Sequence, residues 1–203
     1  MADAFAGATR EQLTRLLADH PMAWIVPARG GAAPAFMPVL LDRGDDAGDS
    51  ILGGTLIGHL PRRHPLVASL EQDGEARFLF TGPNSYISPA WLGDRNWAPT
   101  WNFCTATLDA DVALWPDGID TVLERTVAHM EAGRKRPWTV GELGYRYAAL
   151  RAQVIAFRAR ITAAVPRMKL GQDERLDVRR EIIAGLGDHP LAEWMRHATD
   201  EQA

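Results

Sequence analysis

The sequence lacks several features that would assign it quickly to a class of protein. Its 203 residues include one cysteine, so no disulfide can form within the chain and a reducing, cytoplasmic location is expected. No apolar run approaches the roughly 18 residues of a membrane helix. No basic region followed by an apolar core opens the chain, so no signal peptide is expected. A net charge of −4 and a pI of about 5.9 give no overall support for a nucleic-acid partner.

The common signatures of enzyme sites are absent as well. The sequence contains no GxGxxG, GxxxxGK[ST], HExxH or GxSxG pattern. His59 and His64 are separated by five positions with Pro61 between them, a spacing that does not place two zinc ligands on one helix face. Cys104 lies on the apolar side of a predicted strand, which favours core packing over nucleophilic catalysis. We therefore expect no metal site, and no catalytic residue is assigned.

The periodicity of apolar side chains predicts a mainly β fold with peripheral helices. A capping-box pattern at Thr9 opens a helix that ends at His20. Alternation, which is clearest from Cys104 to Leu114, predicts strands. The expected strands are residues 23–28, 35–41, 51–60, 75–82, 104–114 and 155–161. Residues 43–50 are expected to form an exposed loop. Because several connections are short, neighbouring strands should pair antiparallel and close a small barrel.

Helices are expected outside the strands and at both ends of the chain. The segments predicted to be helical, besides the first, are a short helix in residues 61–70, residues 121–132 and 142–153, and the tail from about residue 171 to 203. In the tail, Gly187 is the expected end of one helix. We interpret residues 1–203 as a single barrel domain with an N-terminal helix and this C-terminal helical tail.

The most unusual stretch is GPNSYISPAWLGDRNWAPTWNF, residues 82–103. It contains three tryptophans, one tyrosine and three prolines among polar side chains. That many prolines do not suit a buried strand, and that many tryptophans do not suit a solvated loop. A stiff loop that presents an aromatic wall with fixed polar donors fits the composition, as a flat, polar-edged cofactor requires. A tryptophan-rich subunit or domain interface fits it equally well.

A second candidate is the basic cluster HLPRRHP, residues 59–65, directly after a glycine-containing strand. Arginine side chains bind phosphate well, and a turn into a helix exposes backbone N–H groups to an anion. A solvated basic turn is the alternative. Further basic residues between Arg158 and Arg180 alternate with acidic ones, which indicates a mixed solvated surface.

Six motifs occur in one order along nearly the whole chain. They are HP at 20–21, PVLLD at 38–42, GHLPRRHP at 58–65, GPNSYISPAW at 82–91, APTWNF at 98–103 and MKLGQDE at 168–174. With them the chain resembles the FMN-binding split-barrel proteins of the PaiB type, often called FMN-binding negative transcriptional regulators. GPxxYISPxW and PTWN are the specific parts. LPRRHP and KLGQDE depart from the commoner MARANP and KLSQN.

The resemblance implies a six-stranded antiparallel split barrel that forms a homodimer with two FMN sites at its interface. The residues that it places near the phosphate or ribityl chain are His59, Arg62 and Arg63. Those that it places in the pocket wall are Ser88, Trp91, Thr100, Trp101 and Asn102. Those that it places at the closing tail are Lys169 and Gln172.

Three functions follow from the resemblance. One is a flavin-dependent redox or regulatory homodimer. Another is a haem (haem b) enzyme, because piperazate synthases resemble the same family yet use haem to close an N–N bond; His59 is then the candidate axial ligand and His64 the second. A hydrogen-bonding pocket residue is the alternative role for His59. The third is a transcriptional regulator, although no helix-turn-helix candidate supports direct DNA binding.

Overall fold

The computed structural model describes Phe5 and residues 7–42 and 50–200. Six strands form one closed antiparallel barrel in the order β1-β2-β3-β6-β5-β4, which confirms the predicted fold class. The strands are β1 (Met22–Pro27), β2 (Ala35–Asp42), β3 (Thr55–Pro61), β4 (Glu75–Ile87), β5 (Thr100–Leu114) and β6 (Val154–Lys169). The loop expected at residues 43–50 lies outside the described residues except for Ser50.

Helices surround the barrel. The α-helices are α1 (Arg10–Asp19), α2 (Pro65–Asp73), α3 (Ile119–Glu131), α4 (Tyr147–Arg151), α5 (Leu176–Leu186) and α6 (Pro190–Asp200). Short 3-10 helices span Pro89–Trp91, Pro116–Gly118 and Val140–Arg146. The capping box predicted at the start of α1 is confirmed, since the Gln12 N–H donates to Thr9 Oγ1 at 3.1 Å and the Thr9 N–H donates to Gln12 Oε1 at 3.1 Å. Within the described ranges, no helix has both the length and the apolar character needed to cross a bilayer.

The barrel interior is filled by large apolar side chains. Phe78 and Phe157 lie 5.9 Å apart between ring centroids and are fully buried. Leu16 of α1 packs into the same core. Gly58 of β3 leaves room for this packing, because a Cβ there would lie 2.5 Å from Cζ of Phe157. The interior is thus a packed core, and any ligand site lies on the barrel's outside or at its ends.

Helix α3 covers part of the outer wall. Ile119 and Val122 pack on the outward side chains of β2, β3 and β6, and together they form a second, smaller core. Arg125 fixes the helix further, since its Nη1 lies 2.7 Å from Oδ1 of Asp42. His129 Nε2 lies 2.7 Å from the carbonyl oxygen of Ala18 and joins α3 to α1. This helix leaves the wall formed by β1 and β4 uncovered.

The C-terminal helices close one end of the barrel. Ile182 of α5 and Met195 of α6 belong to the main core. Arg15 of α1 lies 4.7 Å from the Trp194 ring and 2.6 Å from Oε1 of Glu193, which joins α1 to α6. The predicted end of α5 is confirmed, because Gly187 caps it at a φ of 57°.

The loop predicted at residues 82–103 is confirmed for residues 88–99 and is wrong at both ends. Strand β4 continues to Ile87 and β5 begins at Thr100, so only the residues between them leave the sheet. The prolines are compatible with this because Pro83 sits where the β4–β5 register shifts between Thr81 and Asn84. A bulge needs no ladder donor at that position.

Three other boundaries differ from the predictions. Strand β3 starts at Thr55, because residues 51–54 form a turn in which Gly53 has a φ of 82°. Strand β6 runs on to Lys169, although its second half shows no clean alternation. The helix predicted at residues 142–153 is broken by Gly144, whose φ of 55° and ψ of −131° are not helical.

Candidate functional site

His59 lies on the outer face of β3, opposite Ala156 of β6. Its ring is partly buried, and Nδ1 has no hydrogen-bond partner among the residues that the structure describes. Burial lowers the pKa of His59 below its usual value of 6.5, so the imidazole is neutral at neutral pH. A neutral imidazole with an unused nitrogen can accept or donate one hydrogen bond, or bind a metal ion.

The turn after β3 uses its basic residues in different ways. Arg62 fastens the turn to the start of β6, because its backbone N–H and its guanidinium donate to carbonyls of residues 152–154 at 2.8 to 3.3 Å. His64 caps α2, since its Nδ1 accepts from the Leu66 N–H at 3.2 Å. Arg63 is exposed and pairs with no residue in the described part of the chain. Arg63 is therefore the arginine that remains available to an anion.

A second group lies where β5 begins and β6 ends. Tyr86 and Trp101 face outward with ring centroids 6.0 Å apart at an interplanar angle of 67°, and Trp101 is 55% exposed. Lys169 donates from Nζ to Thr100 Oγ1 at 2.8 Å beside them. An exposed aromatic pair next to a cation suits a flat aromatic ring.

Two predicted pocket residues belong to the loop between β4 and β5. Ser88 Oγ accepts from the Ala90 N–H at 3.2 Å and starts the short 3-10 helix there. Trp91 packs against α5, where a Cβ on Gly185 would lie 2.5 Å from its ring. Ser88 therefore shapes the loop locally, and Trp91 packs the loop against α5.

Asn102 and Gln172 point into the protein. Asn102 is 1% exposed and its Nδ2 lies 3.6 Å from the Met195 sulfur. Gln172 Oε1 accepts from the Leu170 N–H at 2.6 Å, and its amide donates to the Met168 carbonyl. In the structure, the contacts of both side chains are to other parts of the protein. The role predicted for them at a cofactor stays a prediction.

The structure does not bring the two exposed groups together in one chain. Ala156, opposite His59, and Lys169 are thirteen residues apart along β6. At about 3.3 Å per residue, they are separated by roughly 43 Å of strand. The His59–Arg63 group and the Trp101–Lys169 group therefore lie at opposite ends of the two longest strands.

The outer wall of β1 and β2 carries a feature that the sequence analysis missed. Trp24 and Phe36 stack with centroids 4.9 Å apart, and both are about half exposed, at 48% and 49%. Met22 is exposed beside them on β1. The sequence did contain a signal for this patch. Strand β1 has apolar residues on both faces, whereas a strand with one solvent-exposed face alternates apolar and polar residues. We call Met22, Trp24 and Phe36 the wall patch.

The comparison with protein families decides the class. A profile of the family described as "Putative FMN-binding domain" matches residues 1–163. The chain belongs to this family. Membership confirms the resemblance to FMN-binding split-barrel proteins, and FMN, the cofactor expected from the sequence, is the one that the family's description names.

Individual relatives are distant. An uncharacterised protein from Emericella nidulans is 22% identical over 212 aligned positions, which cover 86% of this chain and 84% of that protein. The FAD and haem binding protein from Mycobacterium smegmatis is similar in structure, with a TM-score of 0.56, 19% identity and coverage of 88% of this chain and 79% of that one. A flavocytochrome from Azotobacter vinelandii gives a TM-score of 0.54 at 17% identity, covering 81% and 69%. At these identities the structural likenesses show the fold.

Proposed function

We propose that the protein binds FMN in a site that two copies of the chain complete, and that the flavin serves as its redox group. The observation that supports this most is the separation of the two exposed groups along β6. One flavin cannot reach both ends of the barrel of one chain. A second copy related by a two-fold axis can set the Arg63 end of one chain against the Trp101 end of the other.

The residues at each end suit different parts of FMN. Arg63, which pairs with none of the described residues, offers its guanidinium to the phosphate. His59 Nδ1, which has no partner among the same residues, can form a hydrogen bond with the polar chain. Trp101 and Tyr86 suit the flat ring, and Lys169 places a positive charge beside it. When bound, the flavin supplies electron transfer, while these side chains bind it, orient it and limit the access of water.

The wall patch supports the homodimer part of the proposal. Exposed, contiguous apolar side chains mark interaction surfaces, and the cores of such surfaces are rich in aromatic residues and poor in charge. Trp24 of β1 and Phe36 of β2 fit this description, and both lie outside the small core that α3 forms on β2, β3 and β6. We infer that this wall faces the second copy.

A haem enzyme is the second candidate, because His59 is kept neutral and has an unused buried nitrogen. Two similar structures are of a FAD and haem binding protein and of a flavocytochrome. His64 suits an axial ligand less well, since its Nδ1 already caps α2. For the transcriptional-regulator alternative, nothing in the described residues favours direct contact with DNA.

The test is the absorbance spectrum of the purified protein, with mass spectrometry of the released cofactor and a titration with FMN. We expect flavin bands, and we expect Arg63→Ala to weaken FMN binding more than Arg180→Ala, an exposed arginine on α5 that serves as the matched control. A Soret band that His59→Ala abolishes would establish the haem candidate instead. A colourless protein that takes up neither FMN nor haem would refute both.

A further inference from the structure

The connection between α3 and β6, residues 132–153, is an ordered segment with no buried residue. It nevertheless carries large apolar and aromatic side chains, among which Tyr145 is 96% exposed and Trp138 is 38% exposed. A segment of this composition normally buries part of its apolar surface. We call residues 132–153 the basic arm.

Internal bonds hold the shape of the basic arm. Glu131, at the end of α3, accepts the Trp138 N–H at 3.0 Å and pairs with Arg134 at 3.2 Å. Further along, Glu142 accepts the Thr139 N–H at 2.9 Å in a capping box. The arm therefore has a defined conformation, which fixes the positions of its exposed side chains.

A second anchor fixes the far end of the arm to α3. Asp120 pairs with Arg151 at 2.6 Å and accepts a hydrogen bond from the Tyr147 hydroxyl. Between the two anchors, Gly144 takes a conformation that non-glycine residues rarely adopt, with a φ of 55° and a ψ of −131°. This bend comes directly before Tyr145, which stands almost fully in solvent.

The charge of the arm opposes that of the rest of the chain. The arm contains five arginine or lysine residues and one glutamate, whereas the whole chain has a net charge of −4. Arg134 and Arg151 are paired with carboxylates. Lys135, Arg136 and Arg146 have no hydrogen bond or ion pair with any residue in the described ranges. Three cations without a partner among the described residues and an exposed tyrosine thus belong to one segment.

We propose that the basic arm binds a nucleotide, with Lys135, Arg136 and Arg146 on its phosphates and Tyr145 stacked on its base. A nucleotide combines the two features that this loop complements, a compact group of negative charges and a flat aromatic ring. The site is separate from the proposed FMN site, although it adjoins it, because Arg62 binds the carbonyls at the end of the arm.

Other occupants fit the arm less well. A second copy of the chain would bury an interface core, and the centre of such a core is depleted in charged residues, whereas the arm contains five cationic residues. A long nucleic acid would extend over the negatively charged remainder of the molecule, where its phosphates are repelled. A short ligand is affected mainly by charges within a screening length of about 10 Å. The arm itself contains five cationic residues and one glutamate.

The test is a calorimetric titration of the FMN-saturated protein with ADP, and then with NADPH to distinguish a mononucleotide from a dinucleotide. We expect Lys135→Gln with Arg136→Gln to raise the dissociation constant roughly tenfold, and Tyr145→Ala to raise it by a similar factor. Arg180→Gln, which removes an exposed charge from α5, should leave it unchanged.

Gly144→Ala gives an independent test, because no atom lies within 4 Å of the added Cβ and only the backbone bend is disturbed. We expect it to weaken ADP binding while the flavin spectrum stays the same. Four results would overturn the proposal. They are the absence of measurable ADP binding, an ADP affinity unaffected by the arm substitutions, displacement of ADP by FMN, and arm substitutions that weaken only a short single-stranded oligonucleotide or only self-association. Loss of the flavin bands would instead refute the proposed FMN site.

Discussion

His59 is held neutral by its position on the outer wall. Its ring is partly covered between neighbouring strands, and burial, the sole cause of the shift, lowers its pKa below 6.5. No charged neighbour contributes to that shift, so the effect comes from desolvation of the imidazolium form. A site that needs a neutral imidazole at neutral pH therefore has one before any ligand binds.

This burial makes part of the stability pH-dependent. As the pH falls below about 6.5, the unfolded chain binds the His59 proton before the folded chain does, so the free energy of unfolding decreases. We expect His59→Gln to lose less stability than the wild type between about pH 7.5 and about pH 5. Urea unfolding of the wild type and of His59→Gln at the two pH values, at fixed protein concentration and without added flavin, measures both losses of stability. Equal losses in the two proteins would show that His59 is not desolvated in the folded state.

At the scale of elements, α6 is fixed to the barrel by Met195. This side chain is fully buried, and its sulfur lies 3.6 Å from Nδ2 of the equally buried Asn102 on β5. Trp194 beside it packs against Arg15 of α1. The contacts join the two ends of the chain across the end of the barrel.

Met195→Ala should therefore leave a cavity that its neighbours cannot fill. We expect the free energy of unfolding to fall by about 2–5 kcal/mol. Met130→Ala on α3 removes the same atoms from a side chain that is 53% exposed, and it should change the free energy by less than ~0.5 kcal/mol. Denaturant unfolding of both variants provides the comparison. If the two substitutions had equal effects, α6 would not be docked as described.

The elements that could be predicted are those whose own residues contain a local signal. The alternation from Cys104 to Leu114 and the capping box at Thr9 are local signals, and the structure confirms both. The strand ends at Ile87 and Thr100 were missed because their prolines and tryptophans resemble a loop. Only the pairing partner reveals that Pro83 occupies a bulge. Local composition contains no information about which neighbour a strand will find.

For the candidate site, the structure shows where each predicted residue lies, and its role at a cofactor stays a prediction. His59, Arg63, Trp101 and Lys169 face outward or lie at the surface. Asn102 lies in the core, which the motif does not reveal, since its orientation depends on strand register and on Met195 of a distant helix. The separation of the two groups depends on the full length of β6, which the sequence did not predict.

At the scale of the whole molecule, the wall patch makes self-association testable. Trp24→Glu places a charge among exposed apolar side chains, and burying it against a second copy would be costly. We expect light scattering after gel filtration to show a dimer for the wild type and a monomer for this variant. Leu176→Glu, at an equally exposed apolar position on α5, should remain dimeric. A wild-type monomer would contradict the proposed dimer, and a Trp24→Glu dimer would place the interface elsewhere.

The most direct measurement of the central claim is FMN binding by mixed dimers. Arg63→Glu damages one end of the proposed site and Lys169→Glu the other, so each variant alone should bind FMN weakly. When the two are co-expressed in equal amounts, about half of the dimers are mixed, and each mixed dimer has one site with both Arg63 and Lys169 intact. About one site in four should therefore recover wild-type affinity. If the mixture binds no more FMN than the separate variants do, or if neither substitution weakens binding, the site is not built from two copies.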